Sequence, residues 1–423
     1  MPLKICFYED DGFRQFYPLT YMRPIYTLRA GMVTLYERAE RFFDDVEFCF
    51  TAREQVSPLL AETFRDIPVN IIKKPEGDML FLNGRLRDYG DLPELVRQAT
   101  GSSAFKVGEE TAAVLFKEKL LKHVPPVATQ HEYLEKYGEE LSQISFQETT
   151  ATFYDYCWQI MADVEKEIVS DFAHLQDKLA GSGGVTVHDG AFVVNSDDVI
   201  LGSAVEILPG AVLDATKGPI IVGDNTRIEA HAAIYGPCYI GPNCIVTAGK
   251  ITASSIGHTC RVGGEVEESI FLCYVNKYHA GFIGHSYVGP WVNFGAMTTN
   301  SDLKNNYSTI KSSVGGELID TGSIKVGSFI GDHTKFGIGT LLNTGINIGV
   351  SCNLFGGSLI ADKEVPSFSW GVSGRYQRYE IEKAIDTARK STARRNHTLS
   401  EREIELLRQL FDGLVEEKGI MKF

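Results

Sequence analysis

The sequence predicts two joined folds: an α/β domain over residues 1–179 and a three-sided parallel coil of strands over 185–372, with helices from 373 to 423. Three observations predict this. Short apolar strands alternate with helical stretches in the first part, glycine and serine crowd residues 180–184, and beyond them large apolar residues recur at every sixth position.

In the first part "KICFYED" opens as a strand, and "VEFCFTA", "VNIIKK" and "DMLFLNG" follow as further short β-branched or aromatic runs. Between them "MVTLYERAERFFD" and "DLPELVRQA" read as helices, so the sheet is expected to be largely parallel. The domain ends with "WQIMADVEKEIVSDFAHLQDKL", whose apolar residues recur at helical spacing. "AGSGG", residues 180–184, then reads as a hinge.

Beyond the hinge the beat of six begins. From Ile324 it runs through Ile330, Phe336, Leu342, Ile348, Leu354 and Ile360, with glycine directly after the apolar residue at 331, 337 and 349. The same beat passes through Val222, Ile228, Ile234, Ile240 and Val246, and more briefly through Leu201, Ile207 and Leu213. Extended segments bent at regular corners produce such a period, each sending one large residue inward and leaving glycine or small polar residues at the turn. Three hexads then make one coil, and stacked coils pair strand on strand at about 4.8 Å. An antiparallel sandwich is the competitor, but it needs alternation interrupted by hairpin turns, and the spacing here is too short and too even. After "PSFSWG" two helical stretches follow, the second opening with a capping box at Ser400 and Glu403, and they are expected to close the open end of the prism.

Composition narrows the function. With 43% apolar and 23% charged residues the chain reads as ordinary globular protein in two or three domains. No apolar run could span a bilayer, and "MPLKICFYEDD" lacks the order of a signal peptide, which predicts a cytoplasmic protein without membrane contact. Forty-one basic against fifty-five acidic side chains give a charge of −14, which argues against nucleic acid as a partner while leaving room for a small anionic substrate held locally. The eight cysteines contain no CxxC pair and read as reduced core thiols.

The hexad prism, joined through a hinge to an N-terminal α/β domain, resembles the bifunctional UDP-N-acetylglucosamine pyrophosphorylase / glucosamine-1-phosphate N-acetyltransferase family, called GlmU-type, and within it a divergent branch of sugar nucleotidyltransferases. The resemblance implies a nucleotidyltransferase-like, Rossmann-like first domain, a left-handed parallel β-helix, a homotrimer, and acetyl-CoA bound between adjacent prisms. The family's acetyltransferase motif, H-x-x-Y-[LI]-G followed by V-N-[IF]-G-A, is matched by "HAGFIG" and "VNFGAMTTNSDLK". His279 falls at the general base and Asn293, fourteen residues on, at an orienting asparagine, with Phe282 in place of the motif's tyrosine. Asn300 is expected to contact the sugar and Lys304 its phosphate. Gly331, Asp332 and His333 fall where the cofactor's thioester would lie, and His333 is a rival base.

For the first domain the family pattern is a strand, a glycine-rich loop with an arginine, and a later Lys-Pro. Here "YEDDGFRQFYPLTYMRPIYTLRAG" supplies Gly12, Arg14 and Arg23-Pro24, and "FLNGR" places Asn83 and Arg85 where the family has its metal-binding segment. The resemblance therefore implies Arg23 as catalytic, Arg14, Arg29 and Arg85 as phosphate ligands, and Asn83 as a ligand of Mg²⁺. It implies transfer of a nucleotidyl group from UTP or dTTP to a sugar-1-phosphate, coupled to acetylation of a hexosamine-1-phosphate. A non-catalytic trimeric nucleotide-sugar-binding or scaffold protein, or an acyltransferase whose first domain is inactive, is the alternative.

Overall fold

The computed structural model describes residues 3–70, 77–117, 144–179 and 183–417. Lys73 and Lys74, at the end of "VNIIKK" and read as a solvated loop sooner than as a phosphate-steering pair, and residues 180–182 of the hinge lie outside the described residues. The chain forms two compact units. One comprises Met1–Phe16, Met22–Leu28 and Thr34–Asp155, and the other Tyr17–Tyr21, Arg29–Val33 and Tyr156–Phe423. The helix Val164–Leu179, assigned by the sequence reading to the first domain, thus groups with the second unit.

Among the described residues the first unit has eight strands: β1 Leu3–Tyr8, β2 Val46–Phe50, β3 Met79–Asn83, β4 Leu86–Asp88, β5 Ser103–Val107, β6 Glu110–Phe116, β7 Ser145–Glu148 and β8 Thr152–Phe153. Six of them form one sheet in the order β2-β1-β3-β6-β5-β7, parallel from β2 to β3, with β6 antiparallel to both β3 and β5. All five residues of β3 are buried, the pattern of a central strand covered on both faces. The helix expected over "MVTLYERAERFFD" is one short 3-10 turn, Glu37–Arg41. Tyr36 packs edge-on against Phe48, Phe50 and Phe64, and Phe42 stacks on Tyr89, so aromatic packing outweighs helical propensity there.

In the second unit the beat of six becomes a left-handed parallel β-helix of about ten turns. Val222 pairs with Ile240, Ile228 with Val246, Phe336 with Leu354 and Ile330 with Ile348, so the apolar sixths stack as interior columns. Ile324 departs from the sequence reading. It is 48% exposed, because residues 302–327 leave the prism in an excursion carrying the hairpin Lys311–Val314/Glu317–Asp320, and the ladder resumes only at Ile330. Coil length also varies, from eighteen residues between Val222 and Ile240 to fifteen between Ile256 and Phe271.

The last strand, Ser369–Val372, turns back on Arg375–Arg378 and leads into helices Ile381–Ala393 and Glu401–Glu417. Ser400 Oγ accepts the Glu403 N–H at 3.1 Å, as the capping signal predicts. The helices run along one edge of the prism, where corner residues with positive φ stack as a column: Tyr274, Trp291, His333 and Phe368. His397 packs on Tyr274 and Trp291, Glu403 bonds His333 Nε2 at 2.8 Å, and Phe411 meets Phe368 edge-on. The expected cap over the open end is therefore a brace along a side.

Candidate active site at a prism corner

His279 lies at a different corner of the prism, between the strand Asn276–Lys277 and the strand Phe282–Gly284. Its ring is exposed, sits edge-on to Tyr278 with centroids 5.5 Å apart, and has no hydrogen-bond partner among the described residues. The backbone around it is tightly held. Met297 N–H donates to Ala280 O at 2.8 Å, Thr247 Oγ1 donates to Tyr278 O at 3.1 Å, and Lys277 Nζ donates to His279 O at 2.8 Å. A free imidazole on a fixed backbone suits a group that must take a proton from a bound amine.

Asn293 sits one coil on, on the outer face of the neighbouring wall. Its Oδ1 accepts from Asn276 Nδ2 at 2.8 Å, and Asn276 Oδ1 in turn accepts from Arg395 at 3.3 Å. Directly across the ladder from Asn293 is Lys335, whose ammonium donates to Trp291 O; burial lowers its pKa to about 7, against the raising effect of Asp332. A lysine poised near neutrality beside Asn293 is a functional candidate that the motif did not contain.

The other residues singled out in the prism serve the backbone in this structure. Asn300 is buried, its Oδ1 accepting Gly284 N–H at 2.8 Å and its Nδ2 donating to Gly284 O at 2.9 Å and Ser286 Oγ at 3.2 Å. Lys304 donates to Thr309 O within its own loop. Phe282 is half-buried, with its N–H on Thr299 Oγ1 at 3.3 Å. Gly331 allows close stacking on Gly349, where an added Cβ would lie 2.8 Å from the carbonyl carbon. Asp332 and His333 are buried, and the bond to Glu403 ties His333 to the C-terminal helix. A ring covered in this way has no open face for a substrate, which leaves His279 as the accessible one of the two candidate histidines.

In the first unit the predicted phosphate and metal residues are largely engaged with one another. Arg85 is 4% exposed; its Nε and Nη2 reach the two oxygens of Asp10, each at 2.7 Å, Nη2 also meets Glu110, and Nη1 lies 3.4 Å from Asp155. Burial works against its charge, and the bonds to Asp10 and Glu110 more than offset this and raise its pKa. Gly12, read as the phosphate-loop glycine, makes room for that guanidinium: a Cβ there would sit 2.4 Å from Arg85 Nε. Asn83 Oδ1 accepts Arg85 N–H at 2.9 Å, and its Nδ2 donates to Asp10 at 2.7 Å. These residues do not fit the expected Mg²⁺. The carboxylates around Asn83 already hold an internal cation, and the asparagine oxygen faces a backbone donor.

Arg14 is exposed and paired with Asp11 at 3.3 Å, and Arg23 is half-buried, with its carbonyl accepting from Arg53 at 3.3 Å. Arg29 belongs to the second unit, where its guanidinium lies over the Tyr239 ring and its carbonyl accepts the Tyr287 hydroxyl at 2.7 Å. Of the four arginines, Arg85 and Arg14 are thus paired with carboxylates of their own unit.

Among the described residues the group with metal-ligand spacing is Glu267, Glu268 and His285, whose donor atoms lie within 4.8 Å of one another. There His285 is itself the cation. Its Nδ1 meets Asp302 at 2.8 Å and its Nε2 meets Glu268 at 3.1 Å; burial opposes the charge, but the two carboxylates raise the pKa to about 9.

The chain thus carries an α/β unit and a left-handed β-helix that presents an exposed histidine. Residues 5–179 match the family described as sugar nucleotidyl transferase. The chain is similar, at low identity, to GlmU-type bifunctional proteins, as a divergent branch. It is 31% identical over 156 residues to a bifunctional sugar-1-phosphate nucleotidylyltransferase/acetyltransferase of Sulfurisphaera tokodaii, covering 34% of this chain and 37% of that one. It is 26% identical over 236 residues to the bifunctional protein GlmU of Synechococcus elongatus, covering 47% and 44%. The chain thus spans less than half the length of these relatives. A solved acyltransferase, the UDP-N-acetylglucosamine acyltransferase of Arabidopsis, aligns over 56% of this chain and 85% of its own at 13% identity, with a TM-score of 0.29.

Proposed function

We propose that the prism transfers an acetyl group from acetyl-CoA to the amine of an amino-sugar phosphate, and that the first unit transfers a nucleotidyl group from UTP or dTTP to a sugar-1-phosphate with release of pyrophosphate. The pair of reactions would supply nucleotide sugars for cell-envelope polysaccharide. The observation that carries the reading is the exposed His279 ring on a backbone fixed from three sides, fourteen residues before Asn293. In the acetyl transfer the amine nitrogen attacks the thioester carbonyl, His279 removes the proton that the new amide cannot keep, and CoA leaves as the thiol. Asn293 orients the sugar, assisted through Asn276.

A homotrimer is part of this reading. Beside His279 the prism exposes Tyr278, Met297, Ile338, Leu341 and Leu359 along one corner and wall, an apolar stripe suited to a second copy. For the first unit the support is its family match, and no step is routed through a metal ion. The cytoplasm suits the eight unpaired cysteines, and no helix among the described residues is long and apolar enough to cross a membrane.

The test is a pair of assays, free-thiol release and pyrophosphate release, over a panel of sugar-1-phosphates with acetyl-CoA, UTP and dTTP. Thiol release that disappears in His279→Ala is expected; release that survives the change undiminished overturns the choice of base. Silence in both assays from the unaltered protein overturns the enzymatic reading in favour of a ligand-binding scaffold.

A further inference from the structure

Lys277 interrupts one apolar column inside the prism. The inward column that runs through Ile228, Val246 and Val262 continues at Lys277, in register with Val262, and is taken up again one coil later by Phe294 and Phe336. Lys277 is 1% exposed. Its ammonium donates to Gly263 O at 2.7 Å and His279 O at 2.8 Å, and among the described residues it meets no carboxylate. Burial alone pulls its pKa down to about 8. A buried cation satisfied only by carbonyl dipoles is unfavourable relative to an aliphatic side chain at the same site. Packing of the column does not call for an ammonium, because its neighbouring positions are apolar.

The surrounding backbone is shaped to admit this ammonium. Gly264 has φ +67°, and a Cβ there would lie 2.7 Å from Lys277 Nζ and 2.9 Å from His279 O. The lysine therefore enters from the core, passes a glycine, and ends beneath the carbonyl of the histidine proposed as base. Departures from local rules that carry no structural gain concentrate at functional sites.

We propose that Lys277 is a positioning residue for acetyl transfer: its ammonium anchors the His279 carbonyl from inside the prism and sets the direction in which the imidazole meets the acceptor amine. This rests on the reading of His279 as base. As pH rises and the ammonium loses its proton, both bonds weaken to those of a neutral amine and the anchor slackens.

The experiment compares the full-length protein with Lys277→Met and Lys277→Arg in the thiol-release assay, from pH 6.5 to 9.5, alongside thermal melts. Methionine fills the column with an apolar chain of similar length, so Lys277→Met is expected to melt no lower than the unaltered protein. Its kcat is expected to fall about a hundredfold with KM for acetyl-CoA unchanged. Lys277→Arg, which keeps the charge and the donors, restores part of the loss. The unaltered protein is expected to lose kcat above about pH 8, and Lys277→Met to lack that decline.

An active protein whose kcat and alkaline decline survive Lys277→Met overturns the positioning role alone. Absence of thiol release from the unaltered protein overturns the His279 reading, and the role of Lys277 with it. Should Lys277→Met not fold, a kcat of the unaltered protein that stays flat from pH 7 to 9 overturns the proposal.

Discussion

Arg85 and Asp10 face each other through two parallel hydrogen bonds, each 2.7 Å long, at the place where the sequence suggests a phosphate loop and a metal. Glycine at position 12 is required by this pair, since any side chain would meet the guanidinium. Gly12→Ala is therefore expected to destabilise the first unit by about 1–3 kcal/mol in urea denaturation. In an Arg85→Ala background the same change is expected to cost much less, because the obstructing group is gone. Equal costs in both backgrounds would show that Gly12 answers to something other than Arg85.

His285 makes stability depend on pH in the second unit. Asp302 and Glu268 raise its pKa to about 9, above the ordinary imidazole value of about 6.5. A raised value means that the stabilisation is fully present below about pH 6.5 and is lost as pH climbs through about 9. Glu267, linked to Lys325 at 3.3 Å, and Glu165, whose pKa is raised by burial and by Glu268, face the same corner. Glu268 is partly exposed, so a modest loss of about 1–2 kcal/mol between pH 6.5 and 9.5 is expected. His285→Gln should flatten this profile in urea melts; an unchanged slope would assign the dependence to other groups.

The interior columns supply the clearest test of packing. Leu354 is fully buried between Phe336 and the next coil, and Leu354→Ala removes side-chain volume that its neighbours cannot refill. A loss of about 2–5 kcal/mol is expected by chemical denaturation. Ile324→Ala, one of the same hexad series in the sequence but exposed in the fold, should cost under about 0.5 kcal/mol.

That contrast marks how far the sequence can be read. Where coils hold eighteen residues, as from Ile330 to Ile348, the period of six names the core correctly. Around the candidate site the coils shorten to fifteen, the phase slips, and the interior position of Lys277 cannot be counted from its neighbours. The motif spacing singles out His279 and Asn293 because both are fixed by a local run of chain. It gives no sign that Asn300 is spent on Gly284, or that His333 is bound by a helix seventy residues away, because those partners are set by the stacking of coils and by the return of the C-terminal brace. Arg85 is illegible for the same reason: Asp10, Glu110 and Asp155 come from three distant segments, and only the folded unit brings them together.

The apolar stripe beside His279 bears on whether one chain suffices. Ile338 is 75% and Met297 58% exposed, on successive coils of the corner that carries the imidazole. Large aliphatic groups left open in a row on a protein of charge −14 are a poor solvent surface, and a second copy would cover them while supplying the far wall of a cleft over His279. Ile338→Glu places a charge in the middle of that contact, at an exposed corner residue outside the strands, so each chain should fold as before. Light scattering after gel filtration is expected to give a trimer for the unaltered protein and smaller species for the variant, with thiol release falling in step. A variant that stays trimeric at micromolar concentration would move the interface elsewhere. A trimer that dissociates with full activity would mean that each prism completes its own site.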